Sequence, residues 1–545
     1  MAAKVIRTGD KVQEKVLNGV DKAVEAIKLT MGPSGKGVLI SEFGGSRISR
    51  DGATVAKSIE FSDKEENMGA DLVKKASSSS EERSGDGTST TAILIQEFCK
   101  KGQRAVGHGA NVNEIKSGML KAGKWIENYI DKNAIPVGDD LEKVRKVATI
   151  AANNDSEIGD LIVEGMKKVG MSGLITVEIS QSLDTSIAIT EGMKLDRGWA
   201  SPHYADPATG VCTLENPFIL VTGERLSSIP QIMSLMTEYG QHSGGRPLLV
   251  ITEDIDELVT NFFIINTLRG ALRVCVVKGI DYGDGRKNIM QDVATATGAV
   301  YVCPENAKTI AETTLADLGS ARKVVIDKDK TIIYEGNGDP EAVKARAEVL
   351  KSRLESDSVS QYDKTKFEKR LANLVGGIAV IRVGGSSEAE SQNKKDIVED
   401  AVLASKCAVE EGCLPGGGYT YIKAGQAIMK DKDFWKGLTE DTKEGAMIVV
   451  NALPIVLKTI SNNCGMSSDV ILNEFLGSKK ENWGFNAKTK RFEDLIGAGV
   501  LDSAKVLRVA IENAISAASM ILLIGCTIYD EDKKKNACDC NDHED

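Results

Sequence analysis

The stretch Gly85-Asp86-Gly87-Thr88-Ser89-Thr90-Thr91 decides how the rest of the chain is interpreted. Two glycines bracket one carboxylate, hydroxyl side chains follow, and an apolar run at 92–95 leads into a helical pattern that ends near Gly107. The pattern predicts a helix N-terminus, where unpaired N–H groups and the positive end of the helix dipole favour anions such as phosphate. The glycines let a ligand approach the backbone closely.

Asp86 narrows the chemistry of this predicted anion site. A carboxylate repels phosphate, so we expect its partner to be a magnesium ion that also holds phosphate oxygens. This interpretation predicts a site for the triphosphate of ATP. The alternative is an ordinary capped helix after a turn, because Ser and Thr are common capping residues. The motif by itself leaves both interpretations open.

Composition limits the class of protein. A chain of 545 residues is too long for one hydrophobic core and predicts roughly two to four domains. The net charge of −11, from 68 basic and 79 acidic residues, argues against a nucleic-acid partner. No uninterrupted apolar run approaches the roughly 20 residues of a membrane span, and the first residues do not resemble a signal peptide. Ten scattered cysteines are typical of a reducing compartment, so we expect a cytoplasmic protein without a membrane partner.

The chain changes texture along its length. The first quarter has helical periodicity, as at 9–28 and 112–132. Between about 190 and 376, strand-like runs rich in Val, Ile and Leu alternate with helical segments, which is α/β patterning. After Gly384-Gly385 the chain is helical again. The fold class predicted is therefore a mixed α and α/β multidomain protein, with an α/β domain inserted between helical ends.

Several ordered motifs closely resemble the group I chaperonin family of GroEL. The main ones are Thr30-Met31-Gly32-Pro33, Asp86-Gly87-Thr88-Ser89-Thr90 and the run from Cys407 to Gly418. Further matches, such as Asn463-Cys464-Gly465 and Gly484-Phe485-Asn486-Ala487, extend the resemblance over nearly the whole chain. The resemblance implies a subunit with an all-helical equatorial domain that binds ATP, a small intermediate hinge domain and an apical α/β domain that holds unfolded polypeptide. The implied boundaries are 1–134 and 412–529 for the equatorial domain, 135–190 and 378–411 for the intermediate domain, and 191–377 for the apical domain. Residues 530–545 depart from the family, which has a Gly-Gly-Met-rich tail, and their composition predicts a disordered charged tail.

The resemblance also implies which residues bind ATP and hydrolyse it. Asp51 and Asp400 would act on the attacking water, and Asp86 would ligate Mg²⁺, with K⁺ as a further candidate cation. Two carboxylates beside a phosphate suit a water that must be oriented and deprotonated. For Asp400 the alternative is a solvated acid on a helix surface. The remaining nucleotide contacts implied are Thr30, Met31, Gly32, Pro33, Arg50, Gly87, Thr88, Ser89, Thr90, Gly417, Asn486, Ala487 and Asp502.

Client binding has support from the residues themselves. On a helical wheel of residues 255–268, apolar side chains cover more than the arc that one core can bury, so some must face outward. Exposed, adaptable apolar surface suits binding of many non-native sequences. The alternative is that these helices are simply core. The resemblance implies client contacts at Trp199, Ser201, His203, Tyr204, Met233, Met236, Thr260, Ile264 and Ile265.

The implied partners are unfolded polypeptides, a GroES-type co-chaperonin, and further copies of the chain in rings of about seven, as one ring or two. Val456 and Met466-Ser467 stand where the family has charged residues that help ring-to-ring contact, which predicts an interface there that is weaker or rearranged. The tail carries Cys538, Cys540 and His543, a sparse set for zinc. Two other functions stay open: a holdase or scaffold that binds ATP without productive cycling, and an ATP-using metabolic enzyme.

Overall fold

The computed structural model describes residues 4–530 except 43–44, 139, 154, 172, 181, 208, 281–282, 355–365, 368–369, 372 and 375–376. The predicted tail, apart from Asp530, lies outside the described residues, and so does the Cys538, Cys540 and His543 set. The chain forms two compact units. The terminal unit comprises Met1–Val163, Ile179–Asp184 and Val383–Asp545, and the central unit comprises Glu164–Glu178 and Thr185–Arg382.

The two units can be compared with the domain boundaries predicted from the sequence. Both predicted equatorial segments fall in the terminal unit, and the predicted apical segment falls in the central unit. Parts of the predicted intermediate segments are found in each unit. The helices and strands are as follows.

The helices are α1 Asp10–Ile27, α2 Gly52–Ser58, α3 Lys64–Ser84, α4 Thr88–Gly107, α5 Val112–Asn133, α6 Leu141–Ala151, α7 Ser156–Val169, α8 Ile229–His242, α9 Glu257–Leu268, α10 Gly283–Thr297, α11 Pro340–Leu354, α12 Glu388–Glu411, α13 Tyr419–Lys430, α14 Lys432–Trp435, α15 Glu440–Ala452, α16 Ile455–Asn463, α17 Ser468–Gly477 and α18 Ala504–Ile521. The strands are β1 Lys4–Thr8, β2 Val38–Glu42, β3 Gly45–Ser49, β4 Leu174–Ile179, β5 Ser186–Leu195, β6 Cys212–Glu215, β7 Phe218–Thr222, β8 Leu248–Thr252, β9 Val274–Lys278, β10 Tyr301–Val302, β11 Gly319–Ile326, β12 Thr331–Gly336, β13 Gly377–Val383, β14 Cys413–Pro415, β15 Trp483–Asn486, β16 Arg491–Asp494, β17 Leu501–Ser503 and β18 Cys526–Asp530.

The terminal unit is built on helices whose apolar faces form one core. Helix α5 shows why the periodicity was informative: Ile115, Met119, Ala122, Ile126 and Ile130 recur every three or four residues, and all are fully buried. Helix α4 lies at the centre, because the run from Ala92 to Ile95 is buried on every side. A helix buried all round positions its N-terminus firmly, which matters for the site below.

The helical stretch Glu440–Asn463 is long and apolar enough, by length and composition, to cross a membrane. Within the terminal unit 61% of its apolar window is buried, and Val449 and Leu453 are fully buried. Such burial is typical of a core helix in a globular unit.

The central unit has a mixed sheet of order β4-β13-β5-β12-β11-β7-β8-β9, with β10 beside β7 and β6 beside β11. Strands β7, β8, β9 and β10 are parallel to their neighbours within that set. All of β8 is buried, as expected for a parallel strand with both faces covered. The predicted α/β patterning is therefore confirmed.

Short two-stranded sheets complete the terminal unit. Strand β1 pairs with β18, and β2 pairs with β3. Strand β14 pairs with β17, so that Leu414 lies opposite Asp502. This pairing brings the glycine-rich segment after β14 to the acid in β17.

The effect of Val456 on a ring-to-ring interface stays a prediction. Val456 is buried, with 3% of its surface exposed, and lies in the core of the terminal unit. A buried valine cannot form the charged contact that the family has at this position. The next cation on α16, Lys458, is accessible and forms an ion pair with Asp469 at 2.8 Å. This ion pair lies within one subunit, so it leaves the prediction of a weaker or rearranged interface untested.

Candidate functional site

A cavity of about 560 Å³ lies within the terminal unit. It is enclosed by the N-terminus of α4, the loops before α2 and after α1, one face of α6, part of α12 and the segments on either side of β15 and β17. Every residue predicted to contact nucleotide or to act in hydrolysis lines this cavity. The structure thus brings the predicted residues together, while their individual roles stay predictions.

The N-terminus of α4 is suited to an anion. Gly87 precedes the helix with φ +89°, a left-handed conformation that glycine adopts without strain, and no side chain among the described residues caps the first turn. The N–H of Thr91 already donates to the carbonyl of Gly87 at 2.8 Å. The N–H groups of the residues before it remain for a ligand.

Asp86 lies just before this helix. Its carboxylate accepts a hydrogen bond from the N–H of Gly87 at 2.5 Å. The side chain is accessible from the cavity but otherwise enclosed by protein, and this desolvation, with the charge of Asp51, raises its pKa. A carboxylate in such a setting is stabilised by a cation, so Asp86 fits a Mg²⁺ ion shared with phosphates.

The loop after α1 is fixed against α4. The hydroxyl of Thr30 donates to the carbonyl of Ile27 at 2.8 Å and lies 3.3 Å from the hydroxyl of Ser89. From the other side, the amide of Asn463 donates to the carbonyls of Lys28 at 2.8 Å and Met31 at 2.9 Å. Asn463 was part of a motif in the sequence but had no predicted role. Its contacts show that it supports the loop after α1.

Asp51 is held in place by the helix that it caps. Its carboxylate accepts from the N–H of Ala53 at 3.2 Å and of Thr54 at 2.6 Å, so it stabilises the start of α2. Gly52 follows, and a Cβ atom there would lie 2.3 Å from the hydroxyl oxygen of Ser89. The absence of that atom allows the Asp51 loop to pack directly on the first turn of α4.

Asp400 projects from α12 and lines the cavity. It is only partly exposed. Desolvation raises its pKa to about 9, and the negative charges of Asp51 and Asp86 act in the same direction. The alternative of an ordinary solvated helix acid therefore does not fit. A carboxyl group with a strongly raised pKa in a cavity is typical of a functional group.

The far side of the cavity is formed around β17. Asp502 approaches the glycine-rich segment so closely that a Cβ atom on Gly416 would lie 2.7 Å from its carboxylate. Desolvation and the charge of Asp86 raise the pKa of Asp502 to about 7. Nearby, Asn486 donates to Glu493 at 2.7 Å and accepts from the N–H of Lys488 at 2.9 Å. These bonds fix the amide at the cavity wall.

Sequence reasoning missed the wall formed by α6. Arg145, Lys146, Thr149 and Ile150 line the cavity from this helix, followed by Asn153. Their spacing of three and four residues marks one helix face. That pattern was visible in the sequence, but nothing in it indicated which other segment the face meets.

The predicted client contacts divide into two groups. Met233 and Ile265 are exposed, His203 is exposed, and Trp199 and Thr260 are half-buried. The remaining predicted contacts, Ser201, Tyr204, Met236 and Ile264, are buried in this structure, and their contact with a client stays a prediction.

Two residues that were not predicted are more exposed. Leu258 and Leu268, both on α9, have 61% and 71% of their surface exposed. We call Met233, Leu258, Ile265 and Leu268 the apolar face. The prediction that α9 carries more apolar surface than one core can bury is confirmed, because Val259 and Phe263 pack inward while these leucines and Ile265 do not.

Within the part of the chain that the structure describes, no group of three or more His, Cys, Asp or Glu side chains is arranged to hold a metal by itself.

The chain is similar to a known protein family and to solved structures. A model of the TCP-1/cpn60 chaperonin family matches residues 24–238 and 241–532. A crystal structure of the chaperonin gp146 from the bacteriophage EL 2 of Pseudomonas aeruginosa, in the presence of ATP-BeFx, is similar in fold, with a TM-score of 0.71, 19% identity, and coverage of 97% of this chain and 100% of that one. A second crystal form of gp146 gives a TM-score of 0.64 at 20% identity, covering 97% and 99%.

Proposed function

The chain belongs to the TCP-1/cpn60 chaperonin family, and from that premise we propose that it is an ATP-hydrolysing chaperone. In this proposal it captures non-native polypeptides on the apolar face and releases them during a nucleotide cycle. The observation that carries the proposal is the cavity of the terminal unit, where an uncapped helix N-terminus and separate acidic groups meet.

The residues of the cavity fit ATP and Mg²⁺. The first turn of α4 and the loop at Thr30 would hold the phosphates, and Asp86 would hold the metal ion. The segment at Asn486 and Asp502 would receive the adenosine part. A magnesium ion there supplies positive charge that offsets the phosphates and favours the ionised form of nearby carboxyl groups. The structure of gp146 with ATP-BeFx supports the proposal by analogy.

Hydrolysis is assigned to Asp400, with Asp51 opposite it. In the nucleotide-free cavity Asp400 holds a proton at neutral pH, because its pKa is about 9. It must lose that proton before it can orient a water molecule and accept a proton from it. The position of Asp51 is already fixed, because two backbone N–H groups donate to its carboxylate.

The test of hydrolysis compares binding with turnover. For Asp400→Ala we expect ATP affinity within about threefold of the wild type and a turnover rate lower by a factor on the order of 10². Asp86→Ala should weaken both magnesium-dependent binding and turnover. The matched control is Glu399→Ala, an exposed acid on the same helix that does not line the cavity. An Asp400→Ala protein that keeps most of its ATPase rate would remove Asp400 from the mechanism.

Chaperone activity needs its own test, because ATP hydrolysis alone also fits a metabolic enzyme. A chemically denatured client should refold in higher yield with protein and ATP than with protein alone. Suppression of aggregation without ATP-dependent release would indicate a holdase. Neither result depends on knowing the natural client.

Self-assembly into rings is part of the proposal, and the terminal unit offers surfaces for it. Ile6 lies opposite Ile528 in the β1–β18 pair, and Leu39 lies opposite Ile48 in the β2–β3 pair. All of these side chains are more than half exposed. Two-stranded sheets with free edges and exposed apolar pairs are well suited to pairing with another chain. Ring size and a GroES-type co-chaperonin are proposed from the family resemblance alone, and a cytoplasmic location is proposed from the ten scattered cysteines.

A further inference from the structure

Helix α6 forms one wall of the cavity, and Lys146 is the residue that ties this wall to its neighbour. The ammonium group of Lys146 donates to the backbone carbonyl of Ile496 at 3.3 Å. Residues of α6 and residues 497–500 of the turn line the same cavity of the terminal unit. Among the described residues, this is the hydrogen bond that joins the two segments.

The contact is shaped for a lysine. Gly499 has φ +81°, and a Cβ atom there would lie 3.1 Å from Cγ of Lys146 and 3.3 Å from its Cδ. The methylene stem therefore lies flat against the glycine backbone, while the charged end reaches the carbonyl beyond it. Both the left-handed backbone and the close approach require glycine at this position.

The turn that Lys146 holds leads directly into β17. The carbonyl of Ile496 also accepts from the N–H of Gly499 at 3.1 Å, and the carbonyl of Val500 accepts from the N–H of Gly416 at 2.9 Å. Asp502 follows two residues later in the strand. A displacement of α6 from the turn would therefore change the cavity on the side where the proposed function places adenosine.

We propose that Lys146 is a positioning residue that clasps α6 to the turn before Asp502 and thereby sets how tightly the cavity retains ATP. The inference rests on the proposed function, because it names a further determinant of the same site. It acts through backbone geometry rather than through the reacting atoms. Loss of the clasp should therefore change the KM for ATP and not the rate at saturating ATP.

The experiment uses three variants of the full-length protein. Lys146→Met keeps the apolar stem and removes the donor. We expect the KM for ATP to rise about fivefold to tenfold, the factor expected for the loss of one ordinary intramolecular hydrogen bond, with kcat within twofold. Lys146→Arg retains a donor and should stay within twofold of wild type for both. Lys143→Met is the matched control: on the same helix, Lys143 donates to the carbonyl of Pro136 at 3.2 Å and does not line the cavity.

Hydrogen exchange of the nucleotide-free protein gives a readout that does not depend on ATP. In Lys146→Met the amides of residues 496–500 should exchange at least threefold faster than in wild type, and those of α5 should not change. An unchanged KM, an unchanged exchange rate, or a fall in kcat at constant KM would overturn the inference. If the wild-type protein itself binds no ATP, the proposed function fails and the clasp has no ligand to retain. If wild type and Lys146→Met bind ATP equally well, only the inference fails.

Discussion

The backbone carbonyl of Asp400 lies against Gly85, so closely that a Cβ atom on Gly85 would be 2.9 Å from the carbonyl oxygen. The same Cβ atom would lie 2.5 Å from Cβ of Leu403. Gly85 also has φ +72° at the end of α3, and it directly precedes Asp86. One glycine thus sets the approach of the helix that carries Asp400 to the segment that carries the proposed magnesium ligand.

Gly85→Ala should therefore damage the site more than its small size suggests. The left-handed backbone costs about 1–2 kcal/mol for alanine, and the contact with α12 adds about 1–3 kcal/mol of overpacking. We expect a lower melting temperature and an ATPase rate at least tenfold below wild type. The control is Gly109→Ala, because Gly109 has φ +95° but no neighbouring atom within 4 Å of an added Cβ. Equal ATPase loss in both variants would mean that backbone strain alone is responsible.

Some features of the site could be predicted from the sequence, and others could not. Glycines and hydroxyl groups beside one carboxylate indicate a helix N-terminus for local reasons, so the segment from Asp86 to Thr90 could be predicted without a structure. The contacts of Asn463 and Lys146 could not be. Each joins segments more than 300 residues apart, and the residue type of a single partner does not reveal the other. The raised pKa of Asp400 likewise depends on carboxylates brought together only by folding.

The stability of the nucleotide-free protein should fall as pH rises. The pKa of Asp400 is raised to about 9 and that of Asp502 to about 7 in the folded protein, whereas an unfolded aspartate titrates near 3.9. The folded state therefore binds more protons above about pH 4, and stability is lost progressively up to about pH 9. Thermal unfolding between pH 5.5 and pH 8.5 measures this decline.

The variant that tests the source of this decline is Asp400→Asn. Asparagine has a similar shape and carries no charge at any pH, so the melting temperature should depend less on pH and should exceed that of wild type at pH 8.5. Asp433→Asn is a suitable comparison, since Asp433 is exposed on α14 and does not line the cavity. The assignment fails if Asp400→Asn and wild type have parallel pH profiles.

Hydrophobic periodicity predicted where the helices lie. It did not predict which side chains of a mostly apolar helix are buried and which are exposed. A helical wheel of α9 indicated correctly that its apolar surface is too wide for one core. It could not tell that Ile264 lies in the core of the central unit while Leu258 and Leu268 are exposed.

Substitutions of the adjacent residues Ile264 and Ile265 should have different effects, because Ile265 belongs to the apolar face and Ile264 is buried. Ile265→Ser and Leu268→Ser remove exposed apolar surface, so we expect capture of a denatured client to fall several-fold without loss of stability or basal ATPase rate. Ile264→Ser buries a hydroxyl where an isoleucine packs, which should cost about 2–4 kcal/mol and lower the melting temperature. Light scattering of an aggregating client and thermal unfolding measure the two effects. Normal client capture by the Ile265→Ser, Leu268→Ser double variant would exclude this face as the binding surface.

Assembly should depend on the exposed apolar pairs of the terminal unit. In Leu39→Ser and Ile6→Ser a side chain with 69% or 65% exposure becomes polar, so the isolated subunit loses little packing. If β2–β3 or β1–β18 pairs with another copy, the loss of buried area should raise the concentration needed for assembly by about tenfold or more, since each such side chain contributes about 1.5–3 kcal/mol when fully buried. Mass photometry over a dilution series measures the oligomer. Leu120→Ser is the control, because Leu120 is 47% exposed on α5, outside both sheets. Equal dissociation of all three variants would point to a general loss of stability, and intact oligomers of Leu39→Ser and Ile6→Ser at low concentration would assign the contact to another surface.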